Sequence, residues 1–156
     1  MRRFIAVLAA ALAACTSKPA GPTARGIHVP LPEGWVVSAQ SGSALKAGPR
    51  GRSVLRVDVR PGDPTHPLPS PLTLAEEFSK DAAALRATVV SEVAEKDLSM
   101  VLLEVSRQGS RARAMLGVKR LGRQLLLCAS EPGSSEDEVN SATEACRGLS
   151  EGGGDA

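Results

Sequence analysis

Ser43-Ala44-Leu45-Lys46 places a serine three residues before a lysine, a spacing at which an amine can take the hydroxyl proton and leave the oxygen nucleophilic. Cys15, Cys128 and Cys146 are the only thiols in the chain of 156 residues. His28 and His66 are its only imidazoles. What such groups can do depends on the elements that hold them, and those elements narrow the chemistry quickly.

The Ser43–Lys46 pattern resembles the nucleophile motif of penicillin-binding proteins. That chemistry also needs S-D-N and K-T-G elements, and the chain has neither. Those enzymes set the motif at the start of a helix, whereas SGSALKAGPRG is bracketed by Gly and Pro and reads as a strand or turn. The chain is also too short for their two-lobed fold. His28 and His66 lie far apart in the chain, with no Cys or carboxylate at ligand spacing beside either. Zinc sites need three or four convergent ligands, so both are expected to be surface residues. No C-x-x-C, G-x-S-x-G, Gly-rich phosphate loop or calcium loop occurs. No catalytic residue, metal ligand or cofactor is therefore assigned.

Cys15 has a clearer context. Met1-Arg2-Arg3 is basic, and Phe4 to Ala14 (FIAVLAAALAA) carries no polar side chain. As a helix this run would be about 16 Å long, too short for a hydrocarbon core of about 30 Å. A basic start, a short apolar run and small residues at the cut site describe a signal peptide over residues 1–14. Leu12-Ala13-Ala14-Cys15 resembles the lipobox of bacterial lipoproteins. That resemblance implies a diacylglycerol on the Cys15 thiol, cleavage before it, and acylation of the new N-terminus. Several acyl chains on one residue hold a protein durably where one does not. Residues 15–25 would then be the lipidated Cys and a flexible tether. Thr16, being other than Asp, implies by the same resemblance an outer-membrane address facing the periplasm. A secreted protein with an incidental cysteine is the alternative.

Removing residues 1–14 takes Arg2 and Arg3 with it and leaves 17 basic against 17 acidic side chains. A balanced chain with one Trp, two Phe and no Tyr lacks the charge and the stacking surfaces of nucleic-acid binders, so no nucleic-acid partner is expected. Cys128 and Cys146 remain as an even pair in an exported protein. A disulfide between them is the expectation, and two buried free thiols are the alternative.

The chain that remains suits one domain, over 26–149, with a disordered tail at 150–156. SVLRVDVR alternates Leu55, Val57 and Val59 against Arg56, Asp58 and Arg60, as a half-buried strand does. RARAMLGVKR repeats this, with Ala112, Ala114, Leu116 and Val118 inward and Arg111, Arg113 and Lys119 outward. LSMVLLEV is apolar on both faces and reads as a central strand. Gly109-Ser110 and Leu121-Gly122 mark tight turns, giving an antiparallel meander over about 98–131. Thr73 with Glu76 forms a capping box ahead of Leu74, Phe78, Ala82 and Leu85, and Ser135 with Glu138 a second ahead of Val139, Ala142, Cys146 and Leu149. Cys146 would face the last strand, where Cys128 lies. The expected class is α+β, an antiparallel sheet meander with two helices packed on it.

GIHVPLPEGW, Gly26 to Trp35, followed by this order of elements, is similar to PsbP-like domains over about 26–149. The resemblance implies an extrinsic, non-catalytic module that binds protein partners, and no catalytic residue carries over from it. Trp35 is read as a core anchor or a ligand-groove residue, and Arg111, Arg113, Arg120 and Arg123 as a solvated sheet face or a basic patch. The segment from Arg60 to Thr73 holds Pro61, Pro64, Pro67, Pro69 and Pro71 around His66, a stiff loop a partner can grip or a plain connection. The functional expectation is a lipid-anchored cell-envelope protein acting as a non-catalytic binding or accessory module, with the membrane and an envelope protein as partners. A small periplasmic hydrolase acting on cell-wall or lipid substrates is the alternative, and a purely structural component a third. Cys15→Ala is expected to abolish acylation and leave the chain uncut or released, measured by metabolic labelling with a fatty acid; a labelled Cys15→Ala chain would overturn the lipobox reading.

Overall fold

The computed structural model describes residues 23–24, 26–50 and 52–152, so Cys15 and residues 1–22 lie outside the described residues. Seven strands form one antiparallel sheet: β3 (Trp35–Gln40), β4 (Ala44–Pro49), β5 (Leu55–Pro61), β6 (Arg86–Glu95), β7 (Leu98–Arg107), β8 (Ser110–Leu121) and β9 (Gln124–Ser130). Their order across the sheet is β3-β4-β5-β9-β8-β7-β6. Helix α1 (Pro71–Asp81) sits between β5 and β6 in the chain, and α2 (Glu136–Arg147) follows β9. A small second sheet joins β1 (Thr23–Ala24), β2 (Ile27–His28) and β10 (Ser150–Glu151). The class is α+β, mostly antiparallel sheet with two helices. No described helix is long and apolar enough to cross a membrane.

The two helices take opposite faces of the sheet, because the central strands are apolar on both. On β7, Val101, Leu103 and Val105 pack with Leu74 and Ala75 of α1, while Leu98 and Met100 pack with Val139 and Ala142 of α2. On β8, Ala112, Ala114, Leu116 and Val118 join the α1 side, and Met115 joins the α2 side. The expected inward set is therefore inward, but its alternate set is not simply outward. Arg113 reaches Glu136 in the first turn of α2, at 3.6 Å, and Lys119 Nζ donates to the Arg147 carbonyl at the helix end. Six residues of strand span about 20 Å and the twelve of α2 about 18 Å, so the two charges fix both ends of a helix laid along β8. Lys119 suits the negative C-terminal end of the helix dipole, while Arg113 holds the N-terminal end only through the Glu136 carboxylate. Burial near the helix end pushes the Lys119 ammonium below its usual pKa, against the opposing pull of Glu95.

Cys128 on β9 and Cys146 on α2 form a disulfide with Cα atoms 6.2 Å apart, both side chains buried. Gly117 lies opposite Cys128 in the β8–β9 register. A Cβ at Gly117 would stand 3.0 Å from Met100 Cγ and 3.3 Å from Cys146 Sγ, so the bridge and the strand come this close because that side chain is missing.

Local signals in the sequence hold with shifts of a residue or more. The β7–β8 turn is Gln108-Gly109, with φ of 50° and 83°, the left-handed pair that a two-residue hairpin of right-handed twist requires. The next turn is Gly122-Arg123, between the paired Leu121 and Gln124. Ser135 and Glu138 form the expected capping box. Helix α1 starts three residues before the expected Thr73 cap. Ser70 is its N-cap, accepting from Thr73 N at 3.1 Å, and Pro71 takes N1 because its fixed φ is already helical and its missing N–H is not needed there. The C-terminal expectation also moves, since Ser150 pairs with His28 and Glu151 with Ile27. Trp35 opens β3 and packs against the α2-side core.

Replacing both Cys128 and Cys146 with alanine is expected to lower stability by about 3 kcal/mol, the entropy of an 18-residue loop. Chemical denaturation measures it, and a variant as stable as the parent would show that the bridge does not restrain the unfolded chain.

Candidate binding surface

The residues that suggested chemistry are scattered by the fold. Ser43 lies in the β3–β4 connection, where its carbonyl accepts from Val59 N at 2.7 Å. Lys46 is on β4 with Nζ 3.0 Å from Glu131 Oε1. In extended backbone, residues three apart point to opposite faces, so Lys46 is an ion-pair partner and not a base for Ser43. His28 is in the small second sheet and His66 in the β5–α1 loop. Among the described residues no group of three His, Cys, Asp or Glu side chains converges on a metal position.

The Pro-rich loop is fastened to the domain along its length. Gly62 N donates to the Arg123 carbonyl, and the Asp63 carboxylate accepts from both Thr65 N (2.8 Å) and Thr65 Oγ1 (2.7 Å). Those two Thr65 bonds, hydroxyl first, hold the Asp63 pKa below its usual value, with His66 and Arg120 adding to the pull. Arg120 Nη2 donates to the His66 carbonyl, and its Nη1 stands 3.7 Å from Asp97. Leu68 packs on the α1-side core and Pro71 is buried at the helix start. Pro61, Pro64, His66 and Pro67 remain exposed, and Pro69 is half-buried. Of the four arginines of the expected sheet face, only Arg111 and Arg113 share a surface. Arg113 binds the start of α2, Arg120 sits on the opposite face beneath the loop, Arg111 pairs with Glu104 at 3.7 Å, and Arg123 is exposed at a turn.

The surface shaped to hold something lies beside α1. That helix contacts β6, β7 and β8 and leaves the same face of β9 and β5 without a helix over it. A trough results. Its wall is Leu74 and Phe78 of α1, then Ala82 at the helix C-cap and Leu85 beyond it, so the stripe expected at helical spacing leaves the helix after Phe78. Its floor is Ala112, Ala114 and Leu116 of β8 with Leu127 and Ala129 of β9. One stretch of about 400 Å³ and another of about 270 Å³ meet at Phe78 and Ala82. Volumes of this order and an apolar lining with a few polar groups are what ligand sites present.

The charges around the trough are mostly matched. Arg56 Nε is 2.8 Å from Asp58 Oδ2, Lys46 binds Glu131, and Arg113 binds Glu136. Glu77 and Asp81 line the α1 rim, are exposed, and enter no ion pair among the described residues. At the far end, Arg113 Nη1 is buried with no acceptor among the described residues, and Arg107 is exposed. Sequence reasoning missed this surface. Its signal was the excess of apolar positions on the α1-side face of β9, RQLLLCAS, over what one short helix can cover.

Next to the trough, a polar hollow of about 380 Å³ is lined by Glu104, Arg111, Arg113, Ser135 and Glu136 at the start of α2. Glu138 anchors that helix end. Its carboxylate accepts from Ser135 N at 2.8 Å and from Arg52 Nη2 at 3.1 Å.

No protein-family model matches the chain, and no curated protein does. A crystal structure from Bacteroides thetaiotaomicron VPI-5482 is similar over 81% of this chain, with a TM-score of 0.46 and 10% sequence identity. The chain spans 45% of the length of that neighbour.

The Glu138 carboxyl is held below its usual pKa, first by the Ser135 N–H and then by Arg52. A pKa lower in the folded than in the unfolded chain gives stability that is present at neutral pH and lost as pH falls through the carboxylate range. Glu138→Gln is therefore expected to melt below the parent at neutral pH, with the gap closing on acidification. Thermal midpoints across that range check this, and a gap independent of pH would place the effect in packing instead.

Proposed function

We propose that this chain is a lipid-anchored cell-envelope protein whose single domain, of the PsbP-like kind, is a non-catalytic binding module, and that the trough beside α1 is its binding surface. The observation that carries the binding reading is the apolar floor of Ala114, Leu116, Leu127 and Ala129, left open beside Phe78. An apolar sheet face without its second helix gains by being covered, at roughly 25 cal/mol per Å² removed from water. The envelope address rests on Arg2, Arg3, the apolar run and Leu12-Ala13-Ala14-Cys15, which direct export and anchoring at the outer membrane, with the domain facing the periplasm. The buried Cys128–Cys146 bridge supports it, since structural disulfides persist in oxidising compartments.

Partner capture from the native envelope tests this reading. Ala129→Glu puts a charge on the trough floor and is expected to release a partner that the full-length chain retains, with the thermal midpoint little changed. Ser43→Ala is expected to retain it. Hydrolysis of a cell-wall or lipid substrate that disappears in Ser43→Ala would replace the module with a hydrolase.

A further inference from the structure

We infer that the trough takes a cationic amphipathic peptide segment of a partner protein, its apolar residues on the β8–β9 floor and its Lys or Arg side chains on Glu77 and Asp81. The inference rests on the trough being the module's binding surface and names the chemistry of what binds there.

The sign follows from which charges are already met. Of the cations that line the trough, Arg56 has Asp58 at 2.8 Å and Arg113 has Glu136 at 3.6 Å, while Arg107 at the far end has no ion pair among the described residues. Glu77 and Asp81, one turn apart on α1, present two carboxylates on the same rim with no cation among the described residues. An anionic occupant would be repelled there, and a neutral one would leave both charges beside a newly dried surface. A cation within reach turns that cost into attraction and speeds encounter.

That the occupant is peptide follows from the other end. Arg107, exposed and without an ion pair among the described residues, lines the 270 Å³ stretch. A ligand that brings oxygen acceptors to Arg107 at this end, cations to the middle and apolar side chains between them complements the whole trough. Backbone carbonyls, Lys or Arg, and Leu-type side chains supply all three in one segment. The wall from Leu74 follows the last two turns of α1, about 10 Å, and continues past the helix end to Leu85, a length that matches a peptide and exceeds a small amine.

The probe is a synthetic amphipathic Leu/Lys peptide of about twelve residues, long enough for that wall, carrying a central photo-cross-linker. Its control has every Lys replaced by Glu. Both are irradiated with the full-length protein, and cross-links are mapped by mass spectrometry, a readout indifferent to detergent. The Lys peptide is expected to cross-link to residues around Phe78 and Leu127, and the Glu peptide to bind at least about tenfold more weakly. Glu77→Gln/Asp81→Asn is expected to weaken the Lys peptide about fivefold, while Glu76→Gln, one position off the rim, changes nothing. The double variant should fold, since removing Asp81 from the last turn of α1 relieves the helix dipole. Equal binding of both peptides, or a double variant that binds as the parent does, overturns the cationic class and leaves the module reading standing. Cross-links that avoid the trough, or none at all, overturn the inference whatever the charge.

Discussion

Everything in this domain is hung on one contact, the seating of α2 along β8 and β9. Val139, Ala142, Ala145 and Cys146 are wholly or almost wholly buried, and they meet Met115, Leu126 and Cys128 across the sheet surface. The disulfide closes that contact covalently, Gly117 gives it room, and Arg113 and Lys119 hold the helix ends. Once α2 is seated, the chain that leaves it is aimed back to pair Ser150 and Glu151 with β2, which ties the beginning of the domain to its end. The second face of the sheet is then the free one, and α1 covers only part of it.

That asymmetry separates what holds the domain together from what it offers to other molecules. The α2 face carries the larger cluster, from Ile27 through Leu149, with every strand of the sheet contributing a buried or partly buried position. The α1 face carries a smaller cluster of six buried residues. Leu116, Leu125 and Leu127 are among the apolar positions on that face that stay half-buried. A domain with all its apolar surface on one side could not be gripped without being loosened. Here the stabilising face and the presenting face are different sides of the same strands.

Local and periodic features were legible in the sequence because they are written in single residues. The Ser135–Glu138 box, the alternation of β5 and β8, the two-sided character of β7 and the Cys128–Cys146 pairing all follow from spacing. What depended on the third dimension was not legible. Arg113 and Lys119 read as solvent-facing because alternation names two faces without saying that a helix covers each. Thr73 read as a cap because Thr-x-x-Glu fits the pattern, yet Ser70 with Pro71 offered the better start. The β6 strand, exposed along most of its length with a bulge between Val89 and Ser91, lacks the clean alternation that marks a strand. The trough was invisible for the same reason, since it is a helix that is not there.

The order of strands has a consequence for how the molecule is made. β5 pairs with β9, Pro61 opposite Gln124 and Leu55 opposite Ser130, although α1 and the strands β6, β7 and β8 all lie between them in the chain. The early hairpins β3–β4–β5 cannot join the sheet until its last strand exists, and the later meander from β6 to β9 can zip by itself through short turns. Nucleation therefore belongs to the second half of the chain, where contacts are local and closure is cheap, and the first half is recruited afterwards at the entropic cost of a long loop. A chain translated from its N-terminus thus emerges with its first third unable to lock, and acquires its fold only when the C-terminal half arrives.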